Sequence, residues 1–391
     1  MKKLLPIIFL TVPFWGFAQS SYEAVLQQIE TNNTTLVALR QQAEVEKIGN
    51  KTGLTPDNPE VEFNYLWGAP ALIGVRKDFK VLQTFDFPSA YAYRAKIAHL
   101  QNTHVEWVYK AERLNILLSA KQTCIELIYY NALARAYTLR LKNAESVAEA
   151  YRIKWEKGET NVMEHNKAQL NLSTVQAELK QIEAHSAALC ATLHRLNGGK
   201  EIHFSDETYP YHIMPLDFEE WYTLAEGKNP VLLYVRLQIE INQQWVKLNR
   251  TMGLPKFSAG YMSEKVVGEH FQGITVGFTI PLWENKNRVK ASQAMVRASE
   301  FALEDSRVQF YNSLKSLYNK ATALQHSALQ LRQSLSAYDN EPLLKKALDA
   351  GEISLLNYLL EIEYHYEAIN KTLETERDFE QTLAELSAVE L

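Results

Sequence analysis

Ten histidines raise the question of a metal site. Glu361, Glu363 and His365 lie close together, with Glu361 and His365 at the i, i+4 spacing of one helical face, and His99 and His104 form a second loose pair. A zinc site draws on closely spaced His and Cys that close a tetrahedral set. No such spacing occurs, so these residues read as solvated or packed helix positions. The methionines after Met1 do not cluster, which leaves no soft-ligand ladder for Cu(I). Cys124 and Cys190 are too few for a disulfide scaffold and too far apart for a redox motif, and they read as buried thiols. Carboxylates are plentiful, but there is no nucleophile–base arrangement, phosphate loop or nucleotide motif. The expectation is a non-enzyme with no cofactor and no metal.

Two short segments suit a different task. The first holds Lys154, Glu156, Lys157, Gly158, Glu159, Thr160 and Asn161; the second holds Asp349, Gly351, Glu352, Ser354 and Asn357. Gly158 and Gly351 are helix-stopping glycines of the C′ type, expected at positive φ. Asn161 and Ser354 can cap the helices that return. Lys157, Glu159, Asp349 and Glu352 are charges suited to contacts that form and break at a turn. A third group is aromatic: Tyr65, Trp67, Tyr91, Tyr93, Tyr261 and Trp283 lie near the ends of alternating runs. They fit an interfacial girdle at a membrane surface, or they pack a junction between strands and helices.

The elements that must hold these residues are long. Across 391 residues there are only 15 Gly and 12 Pro, roughly half the usual ~7% and ~5%. Apolar residues at 46% exclude a disordered chain. The net charge of −5 carries no basic excess, so nucleic acid is not an expected partner. Residues 1–18 read as a secretory signal peptide: Lys2 and Lys3, an apolar run from Leu4 to Phe17, then Gly16 and Ala18 before Gln19. No later segment is a continuous apolar span, so any membrane crossing must use strands.

The remaining chain is one unit written twice. Asn33, Leu36, Arg40, Gln42, Glu44, Pro59 and Tyr65 recur at Asn229, Leu232, Arg236, Gln238, Glu240, Pro255 and Tyr261, each 196 residues on. Phe85, Pro88, Ala98, Gly158 and Glu159 recur at Phe278, Pro281, Ala291, Gly351 and Glu352, each 193 residues on. The first repeat is placed at 19–197 and the second at 218–391, with a linker at 198–217 containing Gly198, Gly199, Pro210 and Pro215. Ser20 with Glu23, and Asp217 with Glu220, are capping-box starts. Helices are expected over 21–55 and 218–252. Period-two alternation marks strands at about 60–68, 78–88, 255–263 and 270–282, each long enough to cross a bilayer when tilted. Pro88 and Pro281 mark the strand-to-helix junctions. Unbroken long helices are expected over 89–157 and 285–350, about 100 Å each at 1.5 Å per residue. Shorter returning helices follow over 160–197 and 354–389. Seams such as Ala111, Leu118, Ile125, Ala132, Leu139 and Leu314, Ala321, Ala328 step as coiled-coil packing does. Each half is then a long helix beside two stacked short ones, with the linker as a belt midway.

This pattern resembles the TolC family of outer-membrane efflux channels over essentially all of 19–391. The carrying residues are the twofold repeat, the Gly277–Leu282 run followed by Asn285 and Asn287, and the turns at Gly158 and Gly351. The Asn58–Glu62 start and Phe85–Pro88 end of the first hairpin are similar to the heavy-metal efflux branch. The resemblance implies a mainly α fold with a small β part. Four transmembrane strands per chain would build a trimeric 12-stranded β-barrel, continued by a periplasmic α-barrel. It implies an outer-membrane location with most of the chain in the periplasm. It also implies a homotrimer in outer-membrane lipid, served by a periplasmic adaptor protein and an inner-membrane efflux pump. The two turns would be the periplasmic tip. Relatives place acidic residues a few positions past the second glycine to constrict the entrance; here Asn357 and Leu360 stand there. The alternatives are a type I secretion or drug efflux channel, or, in a different class, a periplasmic coiled-coil adaptor or scaffold.

Overall fold

The computed structural model describes residues 21–391. The expected signal peptide and the Ser20 cap lie outside them. The first half runs α1 (Ser21–Asn32), α2 (Thr34–Gly49), β1 (Glu60–Trp67), β2 (Val75–Phe85), α3 (Pro88–Glu156) and α4 (Val162–Leu196). The second runs α5 (Phe218–Lys228), α6 (Pro230–Thr251), β3 (Lys256–Val266), β4 (Glu269–Thr279), α7 (Arg288–Ala337), α8 (Glu341–Asp349) and α9 (Leu355–Leu386).

Three expectations about helices are corrected. The helices expected over 21–55 and 218–252 are each two helices, broken at Asn33 and Asn229. Both positions belong to the repeat, so the recurring asparagine marks a break. Asn229 Oδ1 accepts a hydrogen bond from the Leu232 amide at 3.0 Å, and Pro230 opens α6, where its missing N–H costs nothing. Asn33 Nδ2 donates to the Leu196 carbonyl at 2.7 Å and so satisfies the end of α4. The helix expected to run unbroken over 285–350 is α7 and α8, separated by Tyr338, Asp339 and Asn340. Pro342 explains the gap: it has no N–H for the Tyr338 carbonyl, and its ring would clash with that group. By contrast, α3 is continuous over 69 residues and holds no glycine and no proline after its first position.

Two compact units are built. One takes the chain up to Thr34 with Leu117–Met214 and Lys320–Glu385; the other takes Thr35–Ile116, Pro215–Asn319 and Leu386–Leu391. Each draws on both sequence halves. In the first, Val147, Ala148 and Tyr151 of α3 and Ala168 of α4 bury against Leu348 of α8 and Leu355, Tyr358 and Ile362 of α9. In the second, Ala90, Ile97 and Leu100 of α3 bury against Ile241 and Leu248 of α6. The seam expected along α3 shifts: Leu117, Ala120, Cys124, Leu127 and Ile128 are buried, whereas Leu139 is exposed. On α7, Leu314, Ala321 and Ala328 are buried at seven-residue steps. The linker segment lies along α3 in the first unit: Asn131 Nδ2 donates to the Asp206 carbonyl, and the Tyr209 hydroxyl to the Ile125 carbonyl at 3.0 Å.

The four strands form one antiparallel sheet in the order β1-β2-β3-β4. The β2 strand begins three residues before the expected start and ends three before the expected end, and Pro88 is the first residue of α3. The two hairpins are joined through β2 and β3, in a register that sets Val81 opposite Tyr261 and Lys77 opposite Lys265.

Candidate functional site: an amphipathic sheet and two glycine turns

Register and alternation sort the sheet into two faces of opposite character. Pairing aligns Val61, Val81, Tyr261 and Ile274 across all four strands, and two residues along it aligns Phe63, Phe79, Ser263 and Gln272. This face continues through Trp67, Phe85, Phe257, Val276 and Phe278, is interrupted toward the hairpin ends by the row Tyr65, Lys77, Lys265 and His270, and is exposed, Ile274 at 85% and Val276 at 77%. The opposite face carries Glu60, Glu62, Arg76, Asp78, Lys80 and Glu264. Arg76 Nε lies 2.9 Å from Asp78 and 3.1 Å from Glu264. In water, so large an exposed apolar face would associate or aggregate. Among the described residues the outer strands β1 and β4 each leave one edge unpaired, and lipid leaves such edges unsatisfied.

The aromatic residues do not form one level. Trp67 ends β1, Tyr65 sits two residues before it, and Trp283 lies past the opposite end, beyond β4. Tyr261 was expected near a strand end, but it pairs with Val81 and Ile274 at the middle of the sheet, and its hydroxyl donates to Gln272 at 2.9 Å. The ring of Tyr65 lies beneath Lys77 Nζ, 5.3 Å from the ring centre. Pro281 lies between β4 and α7 in an irregular stretch.

In the other unit, both glycine turns close as Schellman motifs. Gly158 has φ +75° and Gly351 φ +74°. The Glu159 amide donates to the Lys154 carbonyl at 2.8 Å, and the Gly158 amide to Trp155 at 3.0 Å. At the second turn the Glu352 amide donates to Ala347 at 2.9 Å, and the Gly351 amide to Leu348 at 3.1 Å. Asn161 Oδ1 accepts from the Glu164 amide, and Ser354 Oγ accepts from the Asn357 amide. Lys157, Glu159, Asp349, Glu352 and Asn357 are all exposed. Asp349 accepts a hydrogen bond from Lys345 Nζ at 2.6 Å, so it is already engaged within its own helix.

Several groups around the turns escape sequence reasoning. Trp155 stacks on His165 across the first turn, ring centres 4.9 Å apart and nearly parallel. Their separation of ten residues spans a turn, so no single-helix periodicity shows it. Arg140 is buried between the rings of Tyr137 and Tyr366 and donates to the Tyr366 carbonyl and Asn370 Oδ1. Asn143 Nδ2 donates to the hydroxyls of Tyr358 and Tyr366. Together these tie α3 to α9. Burial pushes the Cys124 thiol up to about 12, so it is unreactive; Cys190 is half-buried. Glu361, Glu363 and His365 share α9. Among the described residues, no group of three His, Cys, Asp or Glu side chains is placed to hold a metal ion, and no helix is long and apolar enough to cross a membrane.

Sequence comparison matches no family model and no curated protein. Solved structures do match. The chain is similar to a membrane protein from Pseudomonas aeruginosa at 14% identity and a TM-score of 0.79, covering 95% of this chain and 93% of that one. It is similar to the Campylobacter jejuni CmeC outer membrane channel at 15% identity and TM-score 0.76, covering 95% and 85%. It is also similar to the Neisseria gonorrhoeae MtrE outer membrane channel, in its open state, at 13% identity and TM-score 0.75, covering 94% and 88%. At these identities the likeness establishes the fold: a mainly helical chain with a four-stranded antiparallel sheet, the TolC-like fold of outer-membrane channels.

Proposed function

We propose that this protein is the outer-membrane channel of a tripartite efflux system, a passive conduit from periplasm to exterior. One observation carries the reading: a four-stranded sheet with an exposed apolar face, a charged opposite face and two unpaired edges. The apolar face suits lipid and the charged face an aqueous lumen. The edges demand closure by further copies, because bilayers tolerate only closed barrels. Three copies would give the twelve strands implied by the family resemblance. Strands of 8 to 11 residues fit a bilayer core when tilted.

The Gly158 and Gly351 turns, at the far ends of α3 and α8, are the periplasmic entrance and the contact for an adaptor. Energy for transport comes from an inner-membrane pump, since the chain has no nucleotide motif of its own. The pump also selects the cargo, and heavy-metal cations are the candidate named by the first hairpin's likeness to that branch. Trp67 and Tyr65 at one end of the sheet and Trp283 at the other anchor it at the two interfaces.

Fractionation and mass determination test this reading. The expected result is recovery in the outer membrane and a trimer in detergent by light scattering. A stable monomer in detergent overturns it, and recovery in the soluble periplasm favours the adaptor or scaffold class instead.

A further inference from the structure

At the break between α7 and α8 the chain forms a half-open cavity of about 300 Å³. Its walls are apolar: Leu331 and Leu335 from α7 and Leu344 from α8. Tyr338 and Tyr364 stand at its rim, both largely exposed. Glu361 and His365, on one face of α9, complete the lining. Behind the His365 ring, Asp339 Oδ1 and Glu341 Oε2 each lie 3.8 Å from Nε2. Neither Lys nor Arg is among the lining residues. Two cations adjacent in the chain to lining residues are engaged elsewhere: Arg332 makes a paired contact with Glu376, and Lys345 holds Asp349. The cavity exists because Pro342 ends the regular backbone of α7, so the seam that closes the rest of the hairpin opens here.

We infer that this cavity binds a small organic monocation with an aromatic or branched apolar body, held by Glu361 and the two tyrosine rings. The volume is that of a small-molecule site, mostly apolar with a few polar groups. Tyrosine faces attract a desolvated ammonium, and the surrounding carboxylates repel anions. Inorganic divalent ions are disfavoured because, among the described residues, no group of three His, Cys, Asp or Glu side chains is placed to hold one. The inference stands apart from the channel reading, since it concerns binding alone.

The test is calorimetric titration of the full-length protein in detergent with benzyltrimethylammonium, beside benzyl alcohol as the uncharged probe. Saturable binding of the cation is expected, at least tenfold tighter than the alcohol. Glu361→Gln should weaken it about tenfold, and Ser334→Trp, which fills the cavity from an exposed position, should abolish it. Circular dichroism and the oligomer's mass confirm that each variant folds. Unaltered binding in Ser334→Trp, equal affinity for the alcohol, or no binding to the wild type each overturns the inference.

Discussion

Two glycines at the turns and one titratable pair carry specific expectations. Gly158 and Gly351 sit at φ +75° and +74° with no heavy atom within 4 Å of a would-be Cβ. Substitution there meets backbone strain and no steric clash. Left-handed backbone costs an L-residue roughly 1–2 kcal/mol, more for a β-branched one. Gly158→Val and Gly351→Val should therefore loosen the turns, seen as faster proteolysis near residues 157–161 and 350–354, with oligomer mass unchanged. Gly→Asn at either position should be milder. The pair is the buried Glu380 of α9 and the half-buried His212 of the linker, 3.5 Å apart, with the His212 ring also bonded to the Tyr22 hydroxyl of α1 at 3.2 Å. Burial pushes the Glu380 carboxyl up to about 7, Lys121 opposing and Glu376 adding to the rise. Its contribution to stability is therefore full below the ordinary 4.5 and is lost as pH rises through about 7. The loss is on the order of 3 kcal/mol. Burial, then Lys121, lowers the His212 pKa, against Glu23; its contribution is present above 6.5 and lost as pH falls through the lowered value. Glu380→Gln should flatten the fall of the thermal midpoint between pH 5 and 7. An unchanged slope in that variant would exclude Glu380 as its source.

At the scale of elements, the sheet and the interrupted helix behave differently from their neighbours. Lys at Ile274, on the exposed apolar face, should oppose insertion by about 2–4 kcal/mol if that position lies at the bilayer midplane. Lys80→Glu, on the charged face, should leave insertion intact and shift ion selectivity toward cations. Outer-membrane recovery and the reversal potential in planar bilayers separate the two; equal loss of insertion would mean both faces are packed. The α7–α8 interruption rests on Pro342. Pro342→Ala restores an N–H that can reach the Tyr338 carbonyl and lifts the penalty of about 3 kcal/mol that a continuous helix through this position would carry. Slower hydrogen exchange across residues 338–342 is the expected readout, with α3 unaffected.

For the whole molecule, the question is whether the turns gate the conduit. Lys157, Glu159, Asp349 and Glu352 are exposed, and contacts at a switch must open without unpacking a core. If the proposed channel reading holds, replacing all four with Ala should change resting conductance or adaptor affinity while leaving the oligomer's mass unchanged. Both quantities unchanged would remove these charges from gating. The Lys345 contact already holds Asp349, so Asp349 should contribute least of the four.

Much of the architecture was legible in the residues because it rests on periodicity and repetition. Alternation at Val61, Phe63, Tyr65 and Trp67 announces a strand with one apolar face. The absence of Gly and Pro after Pro88 announces the length of α3, and glycines that repeat 193 residues apart announce matched turns. Where local chemistry competes with periodicity, the boundaries moved. Asn33, Asn229 and Pro342 break helices whose apolar pattern continues through them, because a cap or a missing N–H acts on single hydrogen bonds that periodicity does not register. The tertiary structure alone decided which groups meet across turns and between helices. Trp155 reaches His165, Arg140 is held between Tyr137 and Tyr366, and Tyr261 falls at mid-sheet instead of at its end. Each depends on register or helix-to-helix packing between residues distant in the chain, and one sequence read along its length carries no record of those distances.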